Sequence, residues 1–204
     1  MSKVLRLLQR TLPTRDTVSK GYVLEVGSGD GSKCASWASA LPEWDFQPSE
    51  YDPDALPKIL QHCMRVHNMR APVRLDAASS EWPVETDIDA VCAVNLCHVA
   101  RPEVSRGLLA GAANVLRPGG TLCVYGPFRV EGVQLGFMSR AFDAVYRLRD
   151  SQTGLRDLGD YFSEGPLGDP RLKVTSVERV HGDHYWCVWR RADVEGEAED
   201  SVSA

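Results

Sequence analysis

The sequence predicts an α/β protein built on a seven-stranded, mostly parallel sheet, with an antiparallel hairpin at one edge and helices on both faces. Short apolar runs alternate with segments of helical periodicity, a pattern typical of strands joined by helical crossovers. The run "DIDAVCAVNL" is almost continuously apolar, as a strand buried on both faces requires. Two closing runs, "LKVTSVERV" and "HYWCVWRR", suit the hairpin.

The local sequence supports each element in turn. Asp52 and Pro53 form a helix cap followed by a proline at the first helical position, and Pro118 with its following glycines ends a helix. Strands are predicted at about 21–26, 44–51, 71–76, 87–96, 121–126, 172–180 and 184–191. Helices are predicted near the start of the chain and at about 31–41, 52–67, 102–116, 139–150 and 156–162.

Length and charge indicate one domain, residues 1–191, followed by a disordered acidic tail, residues 192–204. A chain of 204 residues with 43% hydrophobic content suffices for one well-packed core. The tail has five acidic and no basic residues, and the remainder carries 23 of each. Without a basic stripe, the sequence does not favour strong nucleic-acid binding. No pattern indicates the oligomeric state.

The six cysteines fall mostly within apolar segments and form no C-x-x-C pair. This pattern indicates reduced, buried thiols in a cytoplasmic protein. No apolar run approaches the roughly 18 residues that a membrane-spanning helix needs, and no signal-peptide core is present near the start. We therefore expect no membrane partner. The basic first fifteen residues could mimic a transit peptide, but a helix packed on the domain is favoured.

The stretch "YVLEVGSGDG" ends the first strand in a glycine-rich turn, where a ligand can approach the backbone closely. A dinucleotide fingerprint would need glycine at position 32, but the chain has Gly27, Gly29 and Gly31 followed by Ser32. A pyrophosphate would also face Asp30, and two like charges about 4 Å apart repel by on the order of 4 kcal/mol. A ligand with an ammonium and a sulfonium, such as S-adenosylmethionine, turns this repulsion into attraction.

Acidic residues accompany the first three strands. Glu25 lies two residues before the first glycine, Glu50 ends the second strand and Asp76 ends the third. An acid at the position of Glu50 accepts hydrogen bonds from both ribose hydroxyls in this kind of fold. Asp76 could accept from an adenine amino group, or it could be a solvated loop acid. The predicted cofactor-binding residues are Glu25, Gly27, Ser28, Gly29, Gly31, Glu50, Asp76 and Asn95.

These motifs resemble the class I S-adenosylmethionine-dependent methyltransferases, which have a Rossmann-like fold: "LEVGSGDG", the two acids, a strand ending at Asn95, and "LRPGG". The sequence is more similar still to the methyltransferase-like 26 family, a domain-of-unknown-function family, through "EWDFQPSEYD", "NLCHV", "YGPF" and "GLRD". That resemblance covers roughly residues 4–191 and implies S-adenosylmethionine as the cofactor. Two family stretches are absent: an Ala-Glu-Arg-Asn segment before the first helix, and a Pro-Ala-Asn-Asn segment where this chain has "HGDHY".

Two residues after the fourth strand are the candidate catalytic residues. Methyl transfer mainly requires that donor and acceptor are aligned and, where needed, that a proton is removed. Asn95 and His98 lie beside the predicted cofactor site, and His98 is the candidate base. His98 could instead cap the next helix or form a hydrogen bond under the loop. The box "NLCH" is unlike the Asn-Pro-Pro-Tyr box of amino-directed methyltransferases, which argues against nucleobase and amide acceptors.

The end of the fifth strand and the segment after it are predicted to form the wall of an acceptor pocket. The predicted wall residues are Tyr125, Phe128, Arg129, Arg147 and Arg156. Some of these charges could equally form surface pairs, such as Asp143 with Arg147. The spacing of His181, His184 and Cys187 invites a metal site. Residues three apart on a strand point to opposite faces, so we predict no metal.

The leading hypothesis is an S-adenosylmethionine-dependent methyltransferase that acts on a small molecule or a protein side chain. The alternative is a non-catalytic binding module with the same fold that acts through a protein partner. A nicotinamide-dependent oxidoreductase is a third hypothesis, which the glycine spacing disfavours.

Overall fold

The computed structural model describes residues 2–13, 20–162 and 165–192. Within these ranges eight strands form one sheet: β1 (Gly21–Val26), β2 (Trp44–Glu50), β3 (Val73–Arg74), β4 (Ile88–Val94), β5 (Leu116–Arg129), β6 (Arg156–Asp157), β7 (Leu172–His181) and β8 (His184–Arg191). The helices are α1 (Lys3–Thr11), α2 (Ser32–Ala40), α3 (Leu56–Cys63), α4 (Pro102–Val115) and α5 (Phe137–Arg149), with a 3₁₀ helix over Leu158–Tyr161.

The sheet order is β3-β2-β1-β4-β5-β8-β7, and the two-residue β6 pairs with β5 off this path. The strands β3, β2, β1, β4 and β5 run parallel to one another, whereas β8 runs antiparallel to both β5 and β7. This confirms the predicted α/β fold with its mostly parallel sheet and closing hairpin. The inner strand of the hairpin is β8, so β7 forms the edge of the sheet.

The junction between α4 and β5 differs from the predicted loop. Leu116 begins β5 by pairing with Ile88, and the next pair joins Thr121 to Ala90. Several residues of β5 therefore oppose one of β4, which is a bulge, and Gly119 within it has a φ of 71°. The segment that ends α4 thus belongs to the sheet because glycine permits this backbone conformation.

Helix α3 begins later than the Asp52–Pro53 pattern predicts. The Asp52 carboxylate accepts a hydrogen bond from the backbone N–H of Asp54 at 3.0 Å. This bond closes a local turn, which competes with helix capping. The helix therefore begins at Leu56, and it ends at Cys63, several residues before the predicted end.

Each face of the sheet carries its own apolar core. On one face α4 packs against β4 and β5 and buries seven residues. On the other face α1 and α2 pack around Trp37, Phe46 and Trp186, and the Trp186 indole N–H donates to the Thr11 hydroxyl at 3.1 Å. Because both faces are covered, the carboxyl ends of the parallel strands are where a ligand can reach the backbone.

In the part of the chain that the structure describes, no helix is both long and apolar enough to cross a lipid bilayer. The cysteines are free thiols, and all but Cys63 are buried. The predicted tail lies outside the described residues apart from Ala192, whose N–H donates to the Arg171 carbonyl at 2.8 Å. The tail's disorder and the domain boundaries therefore stay predictions.

Candidate functional site

The glycine-rich turn connects β1 to α2 at the carboxyl edge of the sheet. Gly27, Gly29 and Gly31 have φ values of 75°, 61° and 80°, which disfavour any other residue. The backbone N–H groups of Gly27 and Ser28 donate to the Ser49 carbonyl at 3.0 and 2.9 Å, and hold the turn against β2. A side chain at Gly29 would meet nothing within 4 Å, so a ligand has room above the turn.

Glu25 precedes this turn on β1, and its side chain is completely buried. Neither carboxylate oxygen has a hydrogen-bond partner among the described residues. Burial raises the pKa of Glu25 to about 7, and the nearby Ser28 and Lys33 only partly oppose this effect. A buried acid costs free energy to ionise, so Glu25 lies behind the turn in an environment that disfavours its charged form.

Glu50 ends β2 beside the glycine turn. Its Oε2 accepts a hydrogen bond from the Gly29 N–H at 2.7 Å, and its Oε1 accepts one from the Tyr51 N–H at 2.8 Å. A longer contact at 3.4 Å comes from the Asp52 N–H. Because a carboxylate offers about four acceptor sites, these bonds fix the orientation of Glu50 and leave part of its acceptor capacity for a ligand.

A first cavity of about 430 Å³ opens at this edge of the sheet. Gly27, Glu50 and Asp76 line it together with Leu96 from the loop after β4. The Asp76 carboxylate is oriented by the Ala78 N–H at 2.9 Å. The volume falls within the range of roughly 300–1,000 Å³ that small-molecule sites occupy. The structure therefore brings predicted cofactor residues from three strands into one cavity.

The loop after β4, residues 95–100, divides this cavity from a second one. Asn95 begins the loop with a φ of 59°, a conformation that asparagine tolerates better than most residues. Its N–H donates to the Tyr125 carbonyl at 2.7 Å, which anchors the loop to β5. Leu96 and Ala100 line the first cavity, whereas Asn95 and His98 line the second.

The second cavity has a volume of about 280 Å³. Its wall comes from the loop after β4, from β5, from α5 and the segment after it, and from the start of β8. The lining residues are Asn95, His98, Val99, Pro127, Ser139, Phe142, Tyr146, Leu155 and His184. Two cavities on either side of one short loop can hold a donor and an acceptor close together, as a transfer reaction requires.

His98 has the environment of a neutral imidazole. Its ring meets the Tyr146 ring edge-on, with centroids 5.6 Å apart. Its Nδ1 is buried and has no hydrogen-bond partner in the described part of the chain. Burial, followed by the charge of His184, lowers the pKa of His98 to about 4. His98 does not cap α4, because the residue that precedes that helix is Arg101.

The five residues predicted to wall the acceptor pocket do not line either cavity. The Tyr125 hydroxyl lies 2.9 Å from Nε2 of His181, and Phe128 packs edge-on against Tyr161 in the core, with ring centroids 5.4 Å apart. Pro127, between these two aromatic residues, lines the second cavity instead. A role for Tyr125 and Phe128 in acceptor binding stays a prediction.

Arg129 and Arg147 both pair with Asp143, a buried residue of α5. The Asp143 carboxylate also accepts a hydrogen bond from the Leu155 N–H at 2.7 Å. Burial alone would raise the pKa of Asp143, but these bonds hold it below its usual range. The predicted alternative, an i,i+4 pair of Asp143 with Arg147, is confirmed. The Asp143 carboxylate thus connects α5 to β5 through Arg129 and to the segment after α5 through the Leu155 N–H.

We call residues 130–162, between β5 and the segment leading to β7, the insertion. Arg156 joins the insertion to the loop after β4 by donating to the Ala100 carbonyl at 2.6 Å. The Gly154 N–H donates to the His98 carbonyl at 3.0 Å. Arg156 therefore positions the loop that carries the candidate catalytic residues, and it does so from outside both cavities.

The three residues with metal-ligand spacing do not converge. The rings of His181 and His184 stack with centroids 4.6 Å apart, whereas Cys187 is buried in the core on the opposite face of the sheet. Throughout residues 2–13, 20–162 and 165–192, no group of three or more His, Cys, Asp or Glu residues could hold a metal ion.

Sequence reasoning missed several lining residues of the second cavity. Phe142 and Tyr146 lie one helical turn apart on α5, so an i,i+4 aromatic pair after β5 was an available signal. Ser139, Leu155 and His184 come from separate segments. Nothing in the local sequence of those three residues indicates that they meet.

Comparison with solved structures identifies the class of fold. The mitomycin 7-O-methyltransferase MmcR matches with a TM-score of 0.72, at 14% identity over 92% of this chain and 54% of that one. An O-methyltransferase family protein from Burkholderia thailandensis matches with a TM-score of 0.68, at 17% identity over 94% and 58% of the two chains. PigF with SAH matches at 0.66, with 17% identity over 83% and 50%. This chain spans about half the length of these proteins, and it has the class I methyltransferase fold that they share.

A family model gives the particular family. Residues 2–166 match the model described as "Protein of unknown function (DUF938)". The match covers most of the chain, and the protein therefore belongs to the DUF938 family.

Proposed function

We propose that this protein is an S-adenosylmethionine-dependent methyltransferase that acts on a small-molecule or protein acceptor. The observation that carries the proposal is the pair of cavities on either side of the loop 95–100. Two of the acids expected to hold the cofactor, Glu50 and Asp76, line the first, and His98 lines the second as a neutral imidazole. The fold of the methyltransferases described above supports this assignment.

The residues of the first cavity fit S-adenosylmethionine by their chemistry. Glu50 has acceptor capacity for ribose hydroxyls, and Asp76 lies in the same cavity, where it can accept from the adenine amino group. Glu25 is fully buried behind the turn and does not line the first cavity, so it can act on a bound ammonium group only through its charge. The phosphates of a dinucleotide would meet these same acids with repulsion.

When bound, S-adenosylmethionine supplies a methyl group that its sulfonium has already activated. The chain's own residues then have three tasks. The glycine turn and Glu50 would bind and orient the cofactor, and the loop from Asn95 to His98 contributes side chains to both cavities, where the methyl group and the acceptor must come into direct contact. The neutral imidazole of His98 is the candidate to take a proton from the acceptor, although the burial that lowers its pKa to about 4 also weakens it as a base.

Sequence motifs and free cysteines support two finer points of the proposal, the subfamily and the cellular compartment. The stretches "NLCHV", "YGPF" and "GLRD" support a place close to the methyltransferase-like 26 family. The free cysteines support a reducing compartment, the cytoplasm. Neither of these two cavity walls, as the structure describes them, carries a cluster of basic residues, which argues against a nucleic-acid acceptor at this site.

The test is thermal unfolding with S-adenosylmethionine, S-adenosylhomocysteine and NAD. Ligand at a hundred times its dissociation constant adds about 2.7 kcal/mol, which should raise the midpoint by roughly 5–11 °C for a protein of this size. Glu50→Ala removes charge-assisted bonds and should weaken binding about ten- to a hundredfold. Asp52→Ala is the matched control, because Asp52 is a nearby acid that does not line the first cavity.

A rise with the two sulfur ligands that shrinks in Glu50→Ala but not in Asp52→Ala supports the proposal. Stabilisation by NAD alone would revive the oxidoreductase hypothesis. Cofactor binding without turnover on a broad acceptor panel would favour the non-catalytic binding module. No rise of the unfolding midpoint with any ligand would mean that the glycine turn has only a structural role.

A further inference from the structure

We infer that the second cavity binds an uncharged, flat aromatic molecule of one or two rings that carries a hydroxyl group. The inference rests on the proposed function, because it names the class of acceptor for that same site. It is carried by the charge, shape, size and polar groups of the cavity wall.

The cavity wall offers no compensating charge to an ionic ligand. As far as the described residues show, no Asp, Glu, Lys or Arg lines it, and burial lowers the pKa of both of its histidines. The acids near the wall are already paired, Asp143 with Arg129 and Arg147, and Asp183 with Arg179. An ammonium, carboxylate or phosphate would lose its hydration here without gaining a partner. A lysine or arginine side chain is therefore a poor acceptor for this site.

Planar side chains dominate the wall. His98, Phe142, Tyr146 and His184 present rings, and Pro127 adds a flat apolar surface. The rings of His98 and Tyr146 are nearly perpendicular, with an interplanar angle of 80°. Aromatic rings attract other rings in edge-to-face and offset-stacked arrangements. A wall of this kind favours a flat, conjugated ligand over a branched aliphatic one.

The volume of the cavity is suited to a small molecule. An apolar cavity of about 150 Å³ is large enough to bind benzene, and the second cavity has a volume of about 280 Å³. One ring, or two fused rings, fit this space. A folded protein could offer only a protruding side chain, and the charged side chains are disfavoured by the neutral wall.

The polar groups of the wall suit a hydroxyl. His98 lines the cavity as a neutral imidazole, and although its Nδ1 is buried on the side of Gly126, the ring edge on the cavity side can accept a hydrogen bond from a ligand O–H. Asn95 and Ser139 line the same cavity and can donate to the ligand oxygen. A hydroxyl uses both capacities, whereas a bare hydrocarbon would leave the buried imidazole unpaired.

The experiment compares four molecules that share one ring system: 2-naphthol, naphthalene, 2-naphthoate and 2-(aminomethyl)naphthalene. Binding is measured by calorimetry on the full-length protein at pH 7.5, with and without saturating S-adenosylhomocysteine. Tyr146→Ala removes a ring from the wall, and Tyr146→Phe is its matched control because the ring stays. Circular dichroism confirms that each variant is folded.

We expect 2-naphthol to bind at least tenfold more tightly than the carboxylate and the ammonium analogue, with naphthalene in between. Tyr146→Ala should weaken 2-naphthol binding about three- to tenfold, and Tyr146→Phe should leave it within twofold. Equal or tighter binding of either charged analogue overturns the inference. So does the absence of naphthol binding by the folded protein, or a loss of affinity in Tyr146→Phe as large as in Tyr146→Ala.

The two proposals fail in distinguishable ways. If S-adenosylhomocysteine does not bind, the proposed cofactor is wrong, while the ranking of the four molecules still decides the ligand class of the second cavity. If S-adenosylhomocysteine binds and the charged analogues rank first, the methyltransferase proposal stands and the acceptor class is wrong.

Discussion

The first and second cavities share the loop 95–100 but are constructed in different ways. In the first, Gly27, Glu50 and Asp76 lie at or just beyond the ends of adjacent parallel strands, and backbone N–H groups orient both acids. In the second, the wall is assembled from distant segments that side-chain clusters such as that of Asp143 hold together. The comparison teaches that the sheet itself determines the first cavity, whereas tertiary contacts of the insertion determine the second.

The largest expected effect tests whether chemistry is confined to the second cavity. His98→Ala should lower kcat by about 10²- to 10⁴-fold, the usual contribution of a general base. The dissociation constant of S-adenosylhomocysteine should stay unchanged, because His98 does not line the first cavity. His67→Ala, at an exposed histidine outside both cavities, is the control. Steady-state kinetics with a hydroxylated aromatic acceptor makes the measurement. A kcat within threefold of wild type would remove His98 from the mechanism.

The second prediction concerns the pH dependence of the cofactor side. The pKa of Glu25 is raised by burial to about 7, so its contribution to stability is present below pH 4.5 and is lost as pH rises through 7. The free energy of unfolding of the free protein should therefore fall by about 3 kcal/mol across this window. Glu25→Gln should abolish that fall. The groups that act on Glu25 are Ser28, Lys33, Cys34, Glu50 and, on β4, Cys92.

Denaturant unfolding at pH 4.5, 6 and 8 measures this dependence for wild type and Glu25→Gln. Cofactor binding should also tighten as pH rises through 7, because a charged carboxylate attracts an ammonium. Parallel pH profiles for the two proteins would show that Glu25 is not the titrating group.

The third prediction separates the cavities by loosening the insertion. Asp143→Ala removes the partner of Arg129, Arg147 and the Leu155 N–H. Unfolding should become easier by about 1–3 kcal/mol, and KM for the acceptor should rise while cofactor affinity is unchanged. Glu131→Ala, at an exposed acid of the same insertion, is the matched control. A matching loss of cofactor affinity would contradict the separation of the two sides.

The smallest expected effect concerns the loop that both cavities share. Asn95 has a φ of 59°, which glycine adopts freely and alanine does not. Asn95→Gly should therefore be more stable than Asn95→Ala by about 1 kcal/mol in urea unfolding. If the side-chain amide of Asn95 also takes part in the reaction, turnover should be low in both variants. Recovery in Asn95→Gly alone would assign Asn95 a purely conformational role.

The same contrast explains what the sequence could predict. Glu50 and Asp76 follow apolar strand segments, and the ends of parallel strands lie at one edge of a sheet, so local pattern and a general rule were sufficient. The alternation of β5 places Phe128 in the core against Tyr161, and the path of the insertion directs Arg129 to Asp143. That path depends on contacts between residues distant in sequence, which no periodicity encodes.

The ends of helices and strands were predictable only where one sequence signal determined them. The Asp52–Pro53 pattern is compatible with two outcomes, a helix cap and a local turn, and the turn forms. The glycines after Pro118 were predicted as a helix stop, but the bulge pairing of Leu116 extends β5 back to the helix end. The order of strands and helices was robust because long apolar runs outweigh such local competition.

The attachment of the insertion has a consequence for how such proteins diversify. Asp143 fastens α5 to the protein, and Arg156 connects the insertion to the loop after β4. Substitutions between Asp143 and Arg156 would alter which molecule enters the second cavity without displacing Glu50 or the glycine turn. The two cavities can thus evolve at separate rates, and under the proposed function residues 130–162 form the segment to exchange in order to change the acceptor while cofactor binding is kept.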